Sequence, residues 1–170
     1  HKAGAIVIVD NVMASPVLQK PLQLGADVIM YSATKHIDGQ GRVLGGAVLG
    51  NFEYIHEHFL PFFRHTGPAI SPFNAWVLLK SLETMEMRVE RMNSNAQEIA
   101  EYLDSHENIN WVRYPGIGSH PQFKIARSQM SGGGTTISFE IKGDQKRTFD
   151  IMNKLHVIDI SNNLGDSKTL

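Results

Sequence analysis

Two continuous apolar runs near the beginning of the sequence constrain the fold of this chain most. "GAIVIVD" covers residues 4–10 and "ADVIMYSATK" covers residues 26–35, and neither run alternates apolar with polar residues. Such runs are typical of strands that are covered on both faces, as in a parallel sheet. The intervening residues 15–25 contain Pro16 and Pro21, which leave room only for a brief helix or turns. We therefore predict an α/β fold in which both runs lie in one sheet.

Both predicted strands end in polar side chains. Asp10 ends the first strand, and Ser32, Thr34 and Lys35 end the second. In open α/β sheets, ligands bind in the crevice beyond the carboxyl ends of the strands. We therefore expect Asp10 and Lys35 to face one crevice. Residues 43–50, "VLGGAVLG", predict a third strand whose glycines indicate close backbone approach.

Lys35 is an unusual residue for the end of a buried strand unless its amine has a chemical role. A lysine amine that has lost its proton can form a Schiff base with a carbonyl group, and pyridoxal phosphate supplies such a carbonyl. This cofactor also needs a carboxylate at its ring nitrogen and hydrogen-bond donors for its phosphate. Asp10 can supply the carboxylate, and Ser32 and Thr34 can supply hydroxyls. The spacing alone leaves alternatives open: a turn-capping aspartate, ordinary strand-end hydroxyls and a surface lysine beside a loop.

A helical region follows the predicted sheet. Asn51 is a capping residue that predicts the start of a helix, and Pro61 is expected to interrupt that helix. Ser71 is a second cap, and from there to about residue 106 apolar residues recur at helical spacing. This long helix is expected to connect two domains or to kink near residues 93–95. Its methionines are predicted to be packing residues: Met85, Met87 and Met92.

Shorter elements are predicted after this helix. Predicted strands cover residues 109–116, 135–142 and 156–161, and predicted helices cover residues 121–130 and 144–155. This order indicates a small α+β domain. The predicted organisation is the last part of an α/β domain (1–70), a connecting helix (71–106) and a small, incomplete α+β domain (107–170). The glycines at 132–134 are interpreted as a turn, because no strand-to-helix context precedes them.

Composition excludes several classes of function. The chain has 170 residues and a net charge of −1, so it offers no basic field for nucleic acid or an anionic membrane. It has no cysteine for a disulfide or a thiolate metal site, and no apolar run approaches the ~20 residues of a membrane span. His36, His56, His58 and His65 lack carboxylate–histidine spacing, so no metal site is predicted. We expect a cytoplasmic protein.

Four stretches of the sequence resemble one enzyme family. They are "VIVDNVMASPVLQKPLQLGADVIMYSATKHIDGQGRVLGG", "GPAISPFNAWVLLKSLETMEMRVERMNSNAQEIAEYL", "VRYPGIGSHPQFKIARSQMSGGGTTISFEI" and "ISNNLGDSKTL". In collinear order they are similar to the Cys/Met metabolism family of pyridoxal-phosphate enzymes, which is cystathionine γ-synthase-like. Many relatives have a His-Ser-Asp triplet where this chain has Gln40, Gly41 and Arg42. The resemblance implies a fold-type I pyridoxal-phosphate transferase, with part of its large, mostly parallel-sheet domain and most of its small α+β C-terminal domain.

The resemblance also implies roles for individual residues. Lys35 matches the lysine that forms the Schiff base, and Asp10 matches the partner of the ring nitrogen. Ser32 and Thr34 match the hydroxyls on the phosphate side, and Asn163 falls where relatives have a Ser or Asn near the substrate carboxylate. Family members are more than twice as long as this chain, so we interpret it as an internal segment that carries half of an active site. A natural small domain with trimmed ends is the alternative.

The activity implied by the resemblance is a γ-replacement in methionine biosynthesis. An activated homoserine, O-succinylhomoserine in the first instance, would react with sulfide to give homocysteine, with pyridoxal 5'-phosphate as cofactor. Cystathionine γ-synthase, γ-lyase or methionine γ-lyase activity of the same family is the alternative. The resemblance further implies a homotetramer built as a dimer of dimers. The partners expected are a small amino-acid substrate and further copies of the protein, with no nucleic acid and no membrane.

Two interpretations from other classes remain open at this point. The first is a non-catalytic segment that folds without turnover, and we expect the 170 residues by themselves to be inactive and to associate. The second is a nucleotide-binding α/β module with Ser32, Thr34 and the glycines of residues 41–46 around a phosphate. That module would lack both common glycine-rich phosphate-binding sequences, G-x-G-x-x-G and G-x-x-x-x-G-K-[ST].

Overall fold

A three-stranded sheet organises the first part of the chain in the computed structural model, which describes residues 1–169. β1 (Ile8–Asp10) pairs in parallel with β2 (Val28–Ser32). β3 (Gly46–Gly50) lies antiparallel on the other side of β2, which gives the order β1-β2-β3. The prediction that the two apolar runs lie in one sheet is confirmed, and the third predicted strand is present.

The connection between β1 and β2 is short, as the two prolines predict. It contains α1 (Ser15–Leu18) and a 3-10 turn (Pro21–Leu24), each with a proline in its first turn. Proline is tolerated there because the first N–H groups of a helix have no acceptor within it. Gly25 then ends the 3-10 turn with a φ of +95°, a backbone conformation that favours glycine.

The helix that begins after Asn51 continues through Pro61, so the predicted interruption is wrong. The side chain of Asn51 caps α2 (Phe52–Tyr54) by accepting a hydrogen bond from the Tyr54 N–H at 2.7 Å. A π-turn (Ile55–Phe59) leads directly into α3 (Leu60–Thr66). Proline has no N–H, so the helix lacks one backbone hydrogen bond at Pro61. The wider π-turn before Pro61 accommodates this missing bond, and the helix continues.

Two helices replace the single long helix that was predicted. α4 (Pro72–Leu82) ends at Glu83, and α5 (Met85–Asp104) begins after Thr84, whose φ and ψ are not helical. The predicted kink near residues 93–95 is wrong. The Asn93 side chain accepts a hydrogen bond from the Gly134 N–H at 3.0 Å, so it does not compete for the backbone of its own helix.

In the last part of the chain, a two-stranded antiparallel sheet packs against α5. β4 (Ile109–Arg113) pairs antiparallel with β5 (Ser138–Ile141), and α6 (Phe123–Gln129) lies between them in sequence. α7 (Gln145–Met152) follows β5. The core between α5 and this two-stranded sheet consists of four aliphatic side chains and one aromatic side chain: Ala96, Ala100, Val112, Ile117 and Tyr114.

The predicted strand at 156–161 is wrong. Among residues 1–169, this segment joins neither sheet, and Val157 is 81% exposed. Its alternating apolar residues are typical of a strand, but a strand also needs a neighbouring edge to which its backbone can bond. The Asp159 N–H instead donates to the Thr169 hydroxyl at 2.6 Å.

Several apolar residues of the helices lie at the surface. Met87 is 66% exposed, so the prediction that it packs in the core is wrong. The buried face of α5 carries Val89, Ala96 and Ala100, and Met87 lies about half a turn away from that face. No helix within residues 1–169 combines the length and the apolar character that a membrane crossing requires. The division into segments 1–70, 71–106 and 107–170 stays a prediction.

Candidate active site

Lys35 lies in a π-turn (Ala33–Ile37) that follows β2 directly. Two backbone hydrogen bonds of 2.8 Å close this turn, from the Asp38 N–H to the Ala33 carbonyl and from the Gly39 N–H to the Lys35 carbonyl. Lys35 itself departs from helical geometry, with φ −87° and ψ −124°. The segment 33–39 is called the lysine turn below.

The amine of Lys35 contacts the side chain of Asn163. Its Nζ donates a hydrogen bond to Asn163 Oδ1, although 128 positions separate the two residues in the sequence. Both residues line an open cavity of about 370 Å³, together with Thr34, Gly41, Arg42, Val43, Leu44 and Asn162. The structure therefore brings together two of the predicted site residues, with Thr34 at the border of the same cavity.

The two predicted phosphate-side hydroxyls differ in their surroundings. Thr34 Oγ1 accepts a hydrogen bond from the Gly45 N–H at 3.1 Å, and its hydroxyl lies 3.4 Å from the Gly45 carbonyl, so Thr34 closes the loop that leads to β3. Ser32 is half-buried, and its side chain makes no hydrogen bond to the described residues. Ser32 is thus the freer hydroxyl of the two.

Asp10 lies at the carboxyl end of β1 and is exposed. Its Oδ1 accepts a hydrogen bond from the Val12 N–H at 3.0 Å, and no cation among the described residues forms an ion pair with it. Asp10 pairs with Met30 in the sheet, so the pleat directs Asp10, Met30 and Ser32 to one face. Asp10 lines a second cavity of about 400 Å³, so its common crevice with Lys35 stays a prediction.

A loop near the end of the chain lies against the lysine turn. The Ser167 N–H donates to the Gly39 carbonyl at 2.9 Å. Gly165 has a φ of +88°, and a Cβ added there would lie 2.7 Å from the His36 nitrogen and 2.9 Å from the Lys35 carbonyl carbon. The loop therefore leaves no room for a side chain between Gly165 and the backbone of Lys35 and His36.

A half-buried acidic residue, Asp166, follows Gly165 in this loop, and its carboxyl oxygens are covered. Burial raises the pKa of the Asp166 carboxyl, the neighbouring Asp38 carboxylate raises it further, and the Gly41 N–H acts in the opposite direction. Asp38 is itself fully buried and pairs with Arg42 at 3.0 Å. The sequence reasoning missed the roles of Gly165 and Asp166, although both follow Asn163 closely in the stretch that resembles the family.

Arg88 of α5 holds the other side of the lysine turn. Its guanidinium donates to the carbonyls of His36 (3.0 Å), Ile37 (3.4 Å) and Ser81 (3.0 Å). The carbonyls at the end of a helical turn need such outside donors. A Cβ at Gly39 would lie 1.8 Å from Arg88 Nη1, which is a second close approach. No sequence signal indicates this role of Arg88, because its partners in the lysine turn are more than 50 positions away.

His36 is buried between three segments of the chain. Its Nδ1 lies 3.1 Å from the Val12 carbonyl, and its Nε2 lies 2.7 Å from Thr135 Oγ1. A carbonyl oxygen can only accept a hydrogen bond, so Nδ1 carries the proton. In the neutral ring, Nε2 is then an acceptor, and the Thr135 hydroxyl donates to it.

Acidic pH is expected to destabilise the protein through His36. Burial lowers the pKa of His36 from 6.5, the hydrogen bond to the Val12 carbonyl partly raises it, and the positive charge of Arg88 lowers it. Below pH 6.5 the unfolded chain therefore binds a proton that the folded chain does not bind. The stabilising contribution is complete above this pH and is lost as the pH falls from 6.5 towards the lower pKa of the folded state.

Thermal unfolding of the complete protein from about pH 8 to about pH 5 measures this contribution. We expect the unfolding temperature of the wild type to fall more steeply with acidification than that of His36→Asn. The exposed His56 gives the control variant His56→Asn, which should keep the steep dependence. Equal pH dependence in the wild type and in His36→Asn would contradict the assignment.

The side chains present fit pyridoxal phosphate. An amine on a rigid turn, a strand-end carboxylate with one oxygen uncommitted and a free hydroxyl on the same face as that carboxylate are the groups that this cofactor requires. The structure thus defines an α/β protein in which a lysine, a carboxylate and hydroxyls of these types lie at or just beyond the ends of two paired strands.

The comparisons with known proteins identify the family. The model of the Cys/Met metabolism PLP-dependent enzymes matches residues 1–170. This chain belongs to that family, which confirms the predicted family, its pyridoxal-phosphate cofactor and the fold-type I α/β class.

The alignments with individual relatives extend over all or nearly all of this chain. O-succinylhomoserine sulfhydrylase of Mycobacterium tuberculosis is 56% identical over 100% of this chain and 43% of the relative. L-methionine gamma-lyase of Porphyromonas gingivalis is 40% identical over 100% of this chain and 43% of the relative. The crystal structure of cystathionine gamma synthase from Xanthomonas oryzae pv. oryzae superposes with a TM-score of 0.94 at 36% identity, over 98% of this chain and 43% of that one. The chain thus spans less than half the length of these relatives.

Proposed function

We propose that this chain is part of an enzyme that replaces the γ-substituent of O-succinylhomoserine with sulfide to give homocysteine, a step of methionine biosynthesis. The observation that carries the proposal is the contact between Lys35 Nζ and Asn163 in an open cavity. The 56% identity to an O-succinylhomoserine sulfhydrylase over the whole chain supports this substrate over others in the family.

Lys35 is the catalytic residue of the proposal. Pyridoxal phosphate, when bound, supplies an electron sink for the amino-acid substrate. Lys35 would hold the cofactor through Nζ, and the same amine would carry protons at the substrate carbons. A positioned amine can do this because it gains and loses a proton at one defined place, the Nζ atom.

Asp10 and Ser32 would bind the cofactor at its two ends. Only one carboxylate oxygen of Asp10 is engaged, by the Val12 N–H, so the other is free to accept a hydrogen bond from a protonated ring nitrogen. Ser32 offers an uncommitted hydroxyl for the phosphate. Thr34 already bonds Gly45 and would mainly shape the loop on the phosphate side.

Asn163 would bind the amino-acid substrate. Its Oδ1 accepts from Lys35, so the amide nitrogen remains available to donate to the carboxylate of an amino acid. The same hydrogen bond places the Asn163 amide beside the lysine amine, at the cavity where the substrate would bind.

Other activities of the family are the alternative. The 40% identity to L-methionine gamma-lyase keeps γ-elimination as the second candidate. A non-catalytic segment is a further alternative for the 170 residues by themselves. The family membership speaks against the nucleotide-binding module. A homotetramer in the cytoplasm remains part of the proposal.

A substrate panel tests the proposed reaction. The complete protein, loaded with pyridoxal phosphate, is assayed with O-succinylhomoserine plus sulfide, O-succinylhomoserine plus cysteine, O-acetylhomoserine plus sulfide, and methionine alone. We expect the first pair to give the highest kcat/KM, by about tenfold or more, which is the discrimination a shaped pocket provides. A higher kcat/KM with cysteine or with methionine would overturn the proposal. Visible cofactor absorbance without turnover would support a non-catalytic protein.

A further inference from the structure

His36 contacts both of the chain segments that carry the proposed catalytic groups. It follows Lys35 in the chain and is only 2% exposed. Its Nδ1–H donates to the Val12 carbonyl at 3.1 Å. The N–H of the same Val12 donates to Asp10 Oδ1 at 3.0 Å. A single imidazole therefore connects the lysine turn to the residue that orients the Asp10 carboxylate.

We propose that His36 is a positioning residue that fixes Asp10 relative to Lys35 through the backbone of Val12. The inference rests on the proposed function, because it assigns His36 a role towards those two groups. Its first support is the lack of direct contact between the two groups, which line different cavities. The parallel pairing of β1 with β2 sets the two strands side by side. The hydrogen bond from His36 to Val12 adds a contact between the segments that follow those strands.

The imidazole itself has little freedom to move. A Cβ built on Gly165 would lie 3.2 Å from His36 Cγ, so the backbone of the 163–167 loop covers the ring. The Arg88 guanidinium holds the His36 carbonyl at 3.0 Å. At the far end of the ring, Thr135 Oγ1 lies 2.7 Å from Nε2. The covering loop and the Arg88 contact hold the imidazole in place. Its hydrogen bond to the Val12 carbonyl can therefore fix the position of that backbone segment.

Residues 10–12, which include the Val12 carbonyl that accepts the hydrogen bond from His36, are also held by a second contact. Asn11, which lies between Asp10 and Val12, is buried and donates from Nδ2 to the Tyr31 hydroxyl at 3.0 Å and to the Gln19 carbonyl at 3.1 Å. Tyr31 belongs to β2, the strand that leads into the lysine turn. Asn11 therefore fixes the end of β1 to the sheet, and His36 fixes the following residue to the lysine turn.

Three variants of the complete protein separate the two bonds of the imidazole. In His36→Asn, the amide nitrogen takes the place of Nδ1 and can still donate to Val12. In His36→Gln, the amide extends towards Thr135 and is too long for Val12. His36→Phe removes both bonds while it keeps a planar ring. Thr135→Val is the matched control, because it removes only the bond at Nε2.

The readouts are kcat, KM and cofactor affinity, the last from an equilibrium titration followed by visible absorbance. We expect His36→Phe and His36→Gln to lower kcat about 10- to 100-fold with a smaller change in KM, because a misplacement of ~1 Å costs this much. Their cofactor affinity should fall as well, since Asp10 loses its alignment. His36→Asn and Thr135→Val should stay within about threefold of wild type, less than the loss that such a misplacement causes.

Two results would overturn the inference. One is a His36→Gln variant with wild-type kcat and cofactor affinity. The other is an equal loss in His36→Asn and His36→Gln that follows their loss of thermal stability, which would make the role structural. If His36→Phe fails to fold, the comparison of His36→Asn with His36→Gln still tests whether the bond to Val12 positions Asp10. A wild-type protein that does not bind pyridoxal phosphate would instead contradict the proposed function.

Discussion

Lys35→Ala in the complete protein is expected to abolish the visible absorbance of the lysine-held cofactor and nearly all turnover. Proton transfer by a positioned side chain contributes about 10²–10⁴-fold to rate, so the loss should reach at least this range. Among residues 1–169, Lys35 is the only lysine that lines the cavity it shares with Asn163. Absorbance spectra and steady-state kinetics with O-succinylhomoserine and sulfide measure both effects.

Two controls define the cause of the loss. Lys35→Arg places a permanent positive charge at this position, but a guanidinium does not lose its proton in proteins, so the variant should be as inactive as alanine. Lys80→Ala changes an exposed lysine that pairs with Glu83 at 2.6 Å on the surface, and it should leave both measurements unchanged. Turnover near the wild-type rate in Lys35→Arg would show that charge, not proton transfer, is the role of this residue.

The sequence predicted the parts of the fold that depend on local pattern. The second apolar run forms β2, in which Val28, Ile29 and Tyr31 are buried. The expectation that both faces of the two strands are covered is wrong, because Met30 is 44% exposed and Ile8 of β1 is 56% exposed. The caps at Asn51 and Ser71 accept hydrogen bonds from N–H groups three residues later, which is the geometry their residue type predicts. In each case, the information lies within a few residues of the element.

Tertiary contacts account for the errors. Asn93 was a reasonable site for a kink, but its side chain bonds Gly134 on another segment. The residues at 156–161 have the composition of a strand, yet a strand forms only where another strand is available. Pro61 is accommodated by a π-turn that begins at Ile55, well before the proline itself.

In the candidate site, too, some residues could be predicted from local sequence and others only from tertiary contacts. Asp10, Lys35 and their hydroxyl neighbours follow predictable strands, and the resemblance to the family added Asn163. The residues that hold the lysine turn could not be predicted, because Arg88 and Gly165 act across 50 or more positions and neither has a chemical signature. A guanidinium that donates to carbonyls and a glycine that admits a backbone are recognised only when the chain is folded.

Gly165→Ala is expected to destabilise the protein and displace Lys35. At a φ of +88°, an alanine costs about 1–2 kcal/mol in any surroundings. Its Cβ would also lie 2.7 Å from the His36 nitrogen and 2.9 Å from the Lys35 carbonyl carbon, which are backbone atoms that cannot rotate away. Such overlap adds about 1–3 kcal/mol. The free energy of unfolding should therefore fall by about 2–5 kcal/mol.

Gly67→Ala provides a matched control for the backbone effect. Gly67 has a φ of +74° at the end of α3, and a Cβ there would meet no atom within 4 Å. This variant should lose only the ~1–2 kcal/mol of the backbone conformation and keep full activity. Urea unfolding, cofactor titration and turnover of both variants test the difference. Because the extra strain in Gly165→Ala acts on the lysine turn, its cofactor affinity and kcat should fall together with its stability. Equal losses of stability in the two variants, with activity kept in both, would show that the 163–167 loop does not hold Lys35 in place.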